Sequence, residues 1–209
     1  MLGMHCGKNH TSESISGLSI NPEDSCIQIA ARYYPKRFNH ALGLKNHHFL
    51  VWEKGSAARK ALFTTPVPDS AVNDALVSIG AIPGNNLTRR TWEKRNDATA
   101  RDPDMLVEGS QLDISMIING SQYHAGDFLA DANGASFDFR FGGNRALIPA
   151  WKSGCIACLQ SCPGGKIGNH SYSIRDLVNK ESLFSLKWIE GIKNGDTLTI
   201  RISKRTGQP

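Results

Sequence analysis

The chain predicts an α+β domain: mainly antiparallel β-sheet with hairpins, one clear short helix and long surface loops. Three observations carry that expectation. Runs that alternate apolar with polar residues recur along the chain, an Asn119-Gly120 pair stands between two of them, and one stretch, Asp69 to Ile79, has helical spacing. The 209 residues, 40% hydrophobic and 21% charged, suffice to bury a sizeable core in one domain.

Taken in order, residues 1–19 are polar, rich in Ser, Gly and His, and aperiodic, which predicts a flexible arm ahead of a single domain over 20–209. Cys26 to Tyr33 alternates at a period near two and predicts a strand ended by Pro35; His48 to Trp52 predicts a second, before the turn Glu53-Lys54-Gly55. Asp69 is placed to cap the helix. Ala71, Val72, Ala75, Leu76 and Ile79 share one of its faces, and Gly80 is placed to end it. Gly80 to Asn86 is dense in turn formers, and the polar stretch to about Pro103 predicts a surface excursion.

Leu112, Ile114, Met116 and Ile118 alternate ahead of Asn119-Gly120, so a return strand through Tyr123 is expected. Ser136 to Phe141 places three Phe rings on one face and turns Asp138 and Arg140 the other way, as a surface pair. Near the C-terminus, Lys187-Trp188-Ile189 leads through Asn194-Gly195-Asp196 to Leu198, Ile200 and Ile202, again alternating.

The composition excludes several function classes. The net charge of +5 is modest and the basic residues are scattered, so no nucleic-acid partner is expected; Thr88 to Arg95 is broken by Glu93 and reads as a solvated segment anchored by Trp92. No run approaches the roughly 20 apolar residues of a membrane span, and MLGMHCGKNH lacks the apolar core of a signal peptide. Ser-His-Asp order, nucleophile elbow, phosphate loop and paired catalytic carboxylates are all without their required context.

Three of the five cysteines, Cys155, Cys158 and Cys162, fall within eight positions of the segment 153–169. Thiolates two residues apart can turn toward one centre while loop amides point at the sulfurs, an arrangement that suits soft ions, and Gly154, Gly164 and Gly165 permit a loop wrapped around it. Cys158-x-x-x-Cys162-Pro163, preceded by Cys155-x-x-Cys158, matches the end of the bacterial ferredoxin run, but Lys152 stands where its first cysteine belongs. A fourth ligand would have to come from Cys26, Cys6, His170 or His124.

Among other residues, His40, His47 and His48 are weighed as ligands, but adjacent strand residues face opposite ways and the pair cannot both reach one ion. His5-Cys6 with His10 resembles a metal-scavenging tip within the arm. Gly142 to Arg145 is read as a tight turn rather than an anion nest.

Gly80-Ala81-Ile82-Pro83-Gly84 after the Asp69 helix, together with SGCIACLQSCPGGKIGN over 153–169, resembles the YdjY-domain family over roughly Ile20 to Ile202. That resemblance implies a bacterial and extracytoplasmic (periplasmic) protein, and for some members a ferredoxin-type iron-sulfur label that rests on the cysteines.

Three functional readings stay open. In the first, Cys155, Cys158 and Cys162 hold an iron-sulfur cluster or a zinc-like soft ion in a non-catalytic binding or electron-transfer accessory domain, with Cys26 or His170 as further ligand and a redox or protein partner. In the second, two thiols are bridged in an extracytoplasmic structural or interaction module without redox cofactor. In the third, Cys155 or Cys158 is a nucleophile whose thiolate is favoured by Lys152, Lys166 or His170.

Overall fold

The computed structural model describes residues 15–39, 47–179 and 184–205. His5, Cys6, His10 and His40 lie outside the described residues. The strands are β1 Leu18–Asn21, β2 Cys26–Tyr33, β3 His48–Trp52, β4 Phe63–Thr65, β5 Gln111–Ile118, β6 Ser121–His124, β7 Leu129–Asp131, β8 Phe139–Phe141, β9 Cys155–Cys158, β10 Ile167–Asn169, β11 Phe184–Leu186 and β12 Thr197–Lys204. The helices are α1 Pro35–Asn39, α2 Asp69–Ser78, α3 Arg89–Glu93, α4 Ala125–Phe128, α5 Ile148–Trp151 and α6 Ile174–Asn179.

The expected mainly antiparallel sheet of hairpins with one clear short helix is overturned. Eight strands close into a mixed barrel in the order β2-β12-β5-β8-β10-β9-β3-β4, and β4 returns to β2 through the pairs Arg32–Thr64 and Tyr33–Phe63. β1 extends the edge of β2, β6 hangs from β5, and β7 with β11 forms a separate ribbon. Two neighbours, β3–β4 and β9–β10, run parallel. Parallel neighbours need a crossover rather than a tight turn, so no hairpin signal announces them. β4, β8 and β10 have three residues each, too few to show a period. Short helices also fill the segments read as loops, such as α3 within the excursion after Gly80.

Where alternation was long enough, strands form as expected. Leu198, Ile200 and Ile202 of β12 are buried and pair with β2 on one side and β5 on the other. The β5–β6 turn is made by Asn119 and Gly120, at φ of 49° and 82°, the left-handed pair that a two-residue hairpin requires. α2 forms over Asp69–Ser78 and buries Val72, Ala75 and Leu76. Phe139 and Phe141 enter the main core, with Phe137 stacked on Phe139 at 5.9 Å, while Arg140 Nη2 meets Asp138 Oδ2 at 3.0 Å on the other face.

The main core is aromatic: Phe63 contacts Phe49, Tyr33 and Phe128 with ring centroids between 5.2 and 5.5 Å. Each such ring stabilises the fold by roughly 1.5–3 kcal/mol through burial. A second, smaller cluster lies apart from it: Val51, Ala57, Ala58, Ala61, Cys155, Cys158, Cys162, Ile174 and Leu177. β9 divides between the two, because Ile156 and Ala157 join the main core while Cys155 and Cys158 join the smaller cluster.

Candidate functional site

A regular strand would send residues three apart to opposite faces. β9 avoids this because its pairing with β3 shifts register between His48 and Leu50 and again between Leu50 and Val51. Such an irregularity re-aims side chains locally. The cross-strand pairs His48–Cys158 and Val51–Cys155 therefore put both thiols, the imidazole and Val51 on one side.

A close backbone crossing roofs this face. Gly55 packs against Ser153 and Gly154 so tightly that a Cβ on Gly55 would sit 2.2 Å from the Ser153 carbonyl oxygen, and Gly154 holds φ at +69°. The amides of Trp52, Ser56 and Ala57 donate to the carbonyls of Gly154, Lys152 and Ser153 across the crossing. Ala57, Ala58 and Ala61 are thereby laid over the thiols, with Ile174 and Leu177 of α6 beside them and Trp92 of α3 at the margin.

The excursion after Gly80 folds back onto the same segment. Val107 donates its N–H to Ser161 Oγ at 2.9 Å, and its carbonyl accepts from His170 Nδ1 at 2.6 Å. Arg175 holds the excursion from the other side, through Asp104 and the carbonyls of Asp97 and Ala100. As a result every residue from Ser153 to Asn169 is buried, polar ones included. Buried polar groups need partners, and these contacts supply many of them.

Cys155, Cys158 and Cys162 are 2%, 0% and 7% exposed and form no disulfide. Cys158 hydrogen-bonds both other thiols. Backbone amides also face the sulfurs: Gln160 N–H at Cys158, and Gly164 and Gly165 N–H at Cys162. These donors favour thiolate, the arrangement expected of a loop built to concentrate negative charge. They are outweighed here. Burial, followed by the Cys155 contact, pushes the Cys158 thiol well up; the Cys158 contact, followed by burial, does the same to Cys162. Both are therefore neutral thiols near pH 7.

Cys155 Sγ lies 3.8 Å from His48 Nδ1. Burial, with His47 and Lys60 adding repulsion, pulls the His48 pKa from 6.5 down to about 2, so the imidazole is neutral and offers a lone pair. The sequence does not single out His48, because the adjacent His47-His48 pair as a whole cannot reach one ion. The usable signal was its position opening an apolar strand.

The other expected ligands are not brought here. Cys26 opens β2, paired with Asn21 and Ser203, and is not part of the thiol cluster. His170 Nδ1 is engaged by the Val107 carbonyl. His124 is exposed, ends β6 and caps the N-terminus of α4. The glycine turn at 142–145 holds no anion nest, since Gly143 N–H donates to the Lys166 carbonyl and Asn144 N–H to Asn85 Oδ1.

A family model described as YdjY domain matches residues 18–203. The chain is 35% identical over 128 residues to the uncharacterized protein YdjY of Escherichia coli strain K12, a match covering 60% of this chain and 52% of that protein. The chain thus spans about half the length of the curated relative it matches. No solved structure matches. Among the described residues, no helix is long and apolar enough to cross a membrane.

Proposed function

The chain belongs to the YdjY domain family, and from that premise we propose that it binds one soft metal ion through Cys155, Cys158, Cys162 and His48, without catalysing a reaction. The observation that supports this most directly is the combination of three thiols with amide donors already turned toward two of the sulfurs. Three thiols and a neutral imidazole make the Cys₃His donor set common in structural zinc sites. A buried centre at the strand–loop junction would tie β3, β9 and the 159–166 loop together. Burial also argues for a binding or electron-transfer role over substrate turnover, because the sulfurs are closed off from solute.

The donor chemistry fits a soft ion, but the donors do not yet form a coordination shell. Among the described residues no group of three or more His, Cys, Asp or Glu stands arranged to hold a metal. Loading requires the thiols to release their mutual hydrogen bonds, rotate about χ1 and lose their protons. The expected binding is consequently slow and proton-releasing.

The test is elemental analysis with thiol counting on protein prepared without oxygen. One zinc or cobalt per chain, with the three thiols protected until a chelator is added, supports the proposal. Brown protein with several irons and labile sulfide would point instead to an iron-sulfur centre. Metal-free protein with two thiols lost would point to the bridged, extracytoplasmic module, and metal-free protein with all thiols titratable sinks the metal reading.

A further inference from the structure

Lys166 and Asn144 meet at the end of two neighbouring strands. β8 and β10 pair antiparallel with Ile167 opposite Phe141, and beyond that rung the Gly143 N–H donates to the Lys166 carbonyl at 3.0 Å. Lys166 is 1% exposed and Asn144 5%, the latter held at φ +51°. The Lys166 Nζ donates to the backbone carbonyl of Asn144 at 3.3 Å, which seats the amine on that residue. The carboxamide of Asn144 is not tied down at its nitrogen, because Nδ2 is buried with no hydrogen-bond partner.

Helix α2 closes the same space. Its Asp74 takes Arg145, the residue after Asn144, through two contacts of 2.6 and 2.8 Å, and Asn73 Nδ2 donates to the same carboxylate. About one turn earlier, at the start of α2, the side chain of Asp69 is also buried, with Oδ1 accepting from the Ser70 amide at 3.1 Å. A buried amine and a buried carboxyl that form no close ion pair avoid the cost of burying charge by staying neutral. Burial pushes the Asp69 carboxyl up and the Lys166 ammonium down, against the opposing pull of each on the other. An uncharged amine, a carboxamide on the residue it touches and a protonated carboxyl on the adjoining helix, all shut away from water, are the components of an acyl transfer between side chains.

We propose that Lys166 and Asn144 join in an intramolecular isopeptide bond, a self-modification that ties β8 to β10 covalently. Rotation of the Asn144 side chain turns Cγ toward the amine, with no bond at Nδ2 to break. The neutral Nζ attacks Cγ; the Nζ–Cγ bond forms, the Cγ–Nδ2 bond breaks, and Nδ2 leaves as ammonia with one of the two amine protons. Asp69 carries that proton from Nζ to Nδ2. The step consumes no oxidant, metal or co-substrate, and it is independent of the metal reading above. The bond closes a loop over residues 144–166, which holds α5, β9 and all three clustered cysteines.

The experiment is intact mass spectrometry of the full chain, denatured and reduced, followed by tryptic mapping. The wild type is expected about 17 Da, one ammonia, below the mass its sequence gives. Trypsin should release a branched peptide joining 141–145 to 153–175, since an acylated Lys166 offers no cleavage site. Lys166→Arg and Asn144→Ala should each return to the sequence mass, and Asp69→Ala should leave most of the chain there as well. A branch that forms fully in Asp69→Ala overturns the proton-carrying role of Asp69. Succinimide formation at Asn119-Gly120 or Asn194-Gly195 also expels ammonia, but it persists in Lys166→Arg and yields no branch; that result overturns the bond. A wild type at its full sequence mass does the same, as does a loss of about 18 Da, one water, which would place Lys166 on a carboxyl such as Asp69. If the variants do not fold, the wild-type mass and the presence or absence of the branched peptide decide.

Discussion

Cys155 Sγ lies 3.8 Å from Nδ1 of His48, across a strand pair whose register slips twice between His48 and Val51. Without that slip the two thiols of β9 would face opposite sides of the sheet. The contact joins the most sulfur-rich segment of the chain to a strand more than a hundred residues earlier.

His48 should set the acid limb of stability. Its pKa falls from 6.5 to about 2 on folding, so the unfolded chain takes up a proton that the native state refuses. The stability linked to His48 is therefore present above about pH 6.5 and is lost as pH falls toward 2, at up to about 1.4 kcal/mol per pH unit. His48→Gln should flatten urea midpoints between pH 7 and 4. An unchanged acid limb would show that His48 does not carry it.

The glycine crossing should tolerate no side chain. A Cβ on Gly55 would stand 2.2 Å from a backbone oxygen, which no rotamer relieves. Gly55→Ala is expected to lower stability by about 2 kcal/mol or more and to reduce Tm by several degrees in a thermal melt. Gly80→Ala has open space around the new methyl but sits at φ +79°, so the milder loss expected there isolates backbone strain from collision.

Arg175 should control access to the sulfurs. It alone ties α6 to Asp104, Asp97 and Ala100 among the bonds described above. Arg175→Ala is expected to raise the rate of maleimide labelling of the three thiols by about ten-fold with far-UV circular dichroism unchanged, since local opening limits the reaction of buried groups. Equal rates in the two proteins would mean that the excursion does not gate the site.

The two groups of cysteines should separate cleanly. Cys158 contacts both other thiols, so Cys158→Ser should abolish metal uptake. Cys26, outside the cluster, should be dispensable: Cys26→Ala binds as wild type does. Loss of binding in Cys26→Ala would reinstate it as a ligand.

The local signals were legible wherever a pattern ran for more than a few residues. β12, the β5–β6 turn at Asn119-Gly120, helix α2 and the aromatic face of β8 follow from alternation, turn chemistry and helical spacing. The thiol trio was legible as well, because its spacing is local. That His48 would meet Cys155 was not, because nothing in a chain's order says which distant residue a loop will meet.

By itself the sequence determined that this chain carries a glycine-flanked trio of thiols among strands rich enough in alternating apolar residues to build a core. Only the tertiary structure decided that the strands close on themselves, that β9 is sheared against β3 so the sulfurs share a face, and that His48 stands beside Cys155. The reason is physical. Periodicity acts over a few neighbouring bonds, whereas closure through β2–β4 and the parallel pairs β3–β4 and β9–β10 are settled by which buried surfaces fit once the whole chain has collapsed.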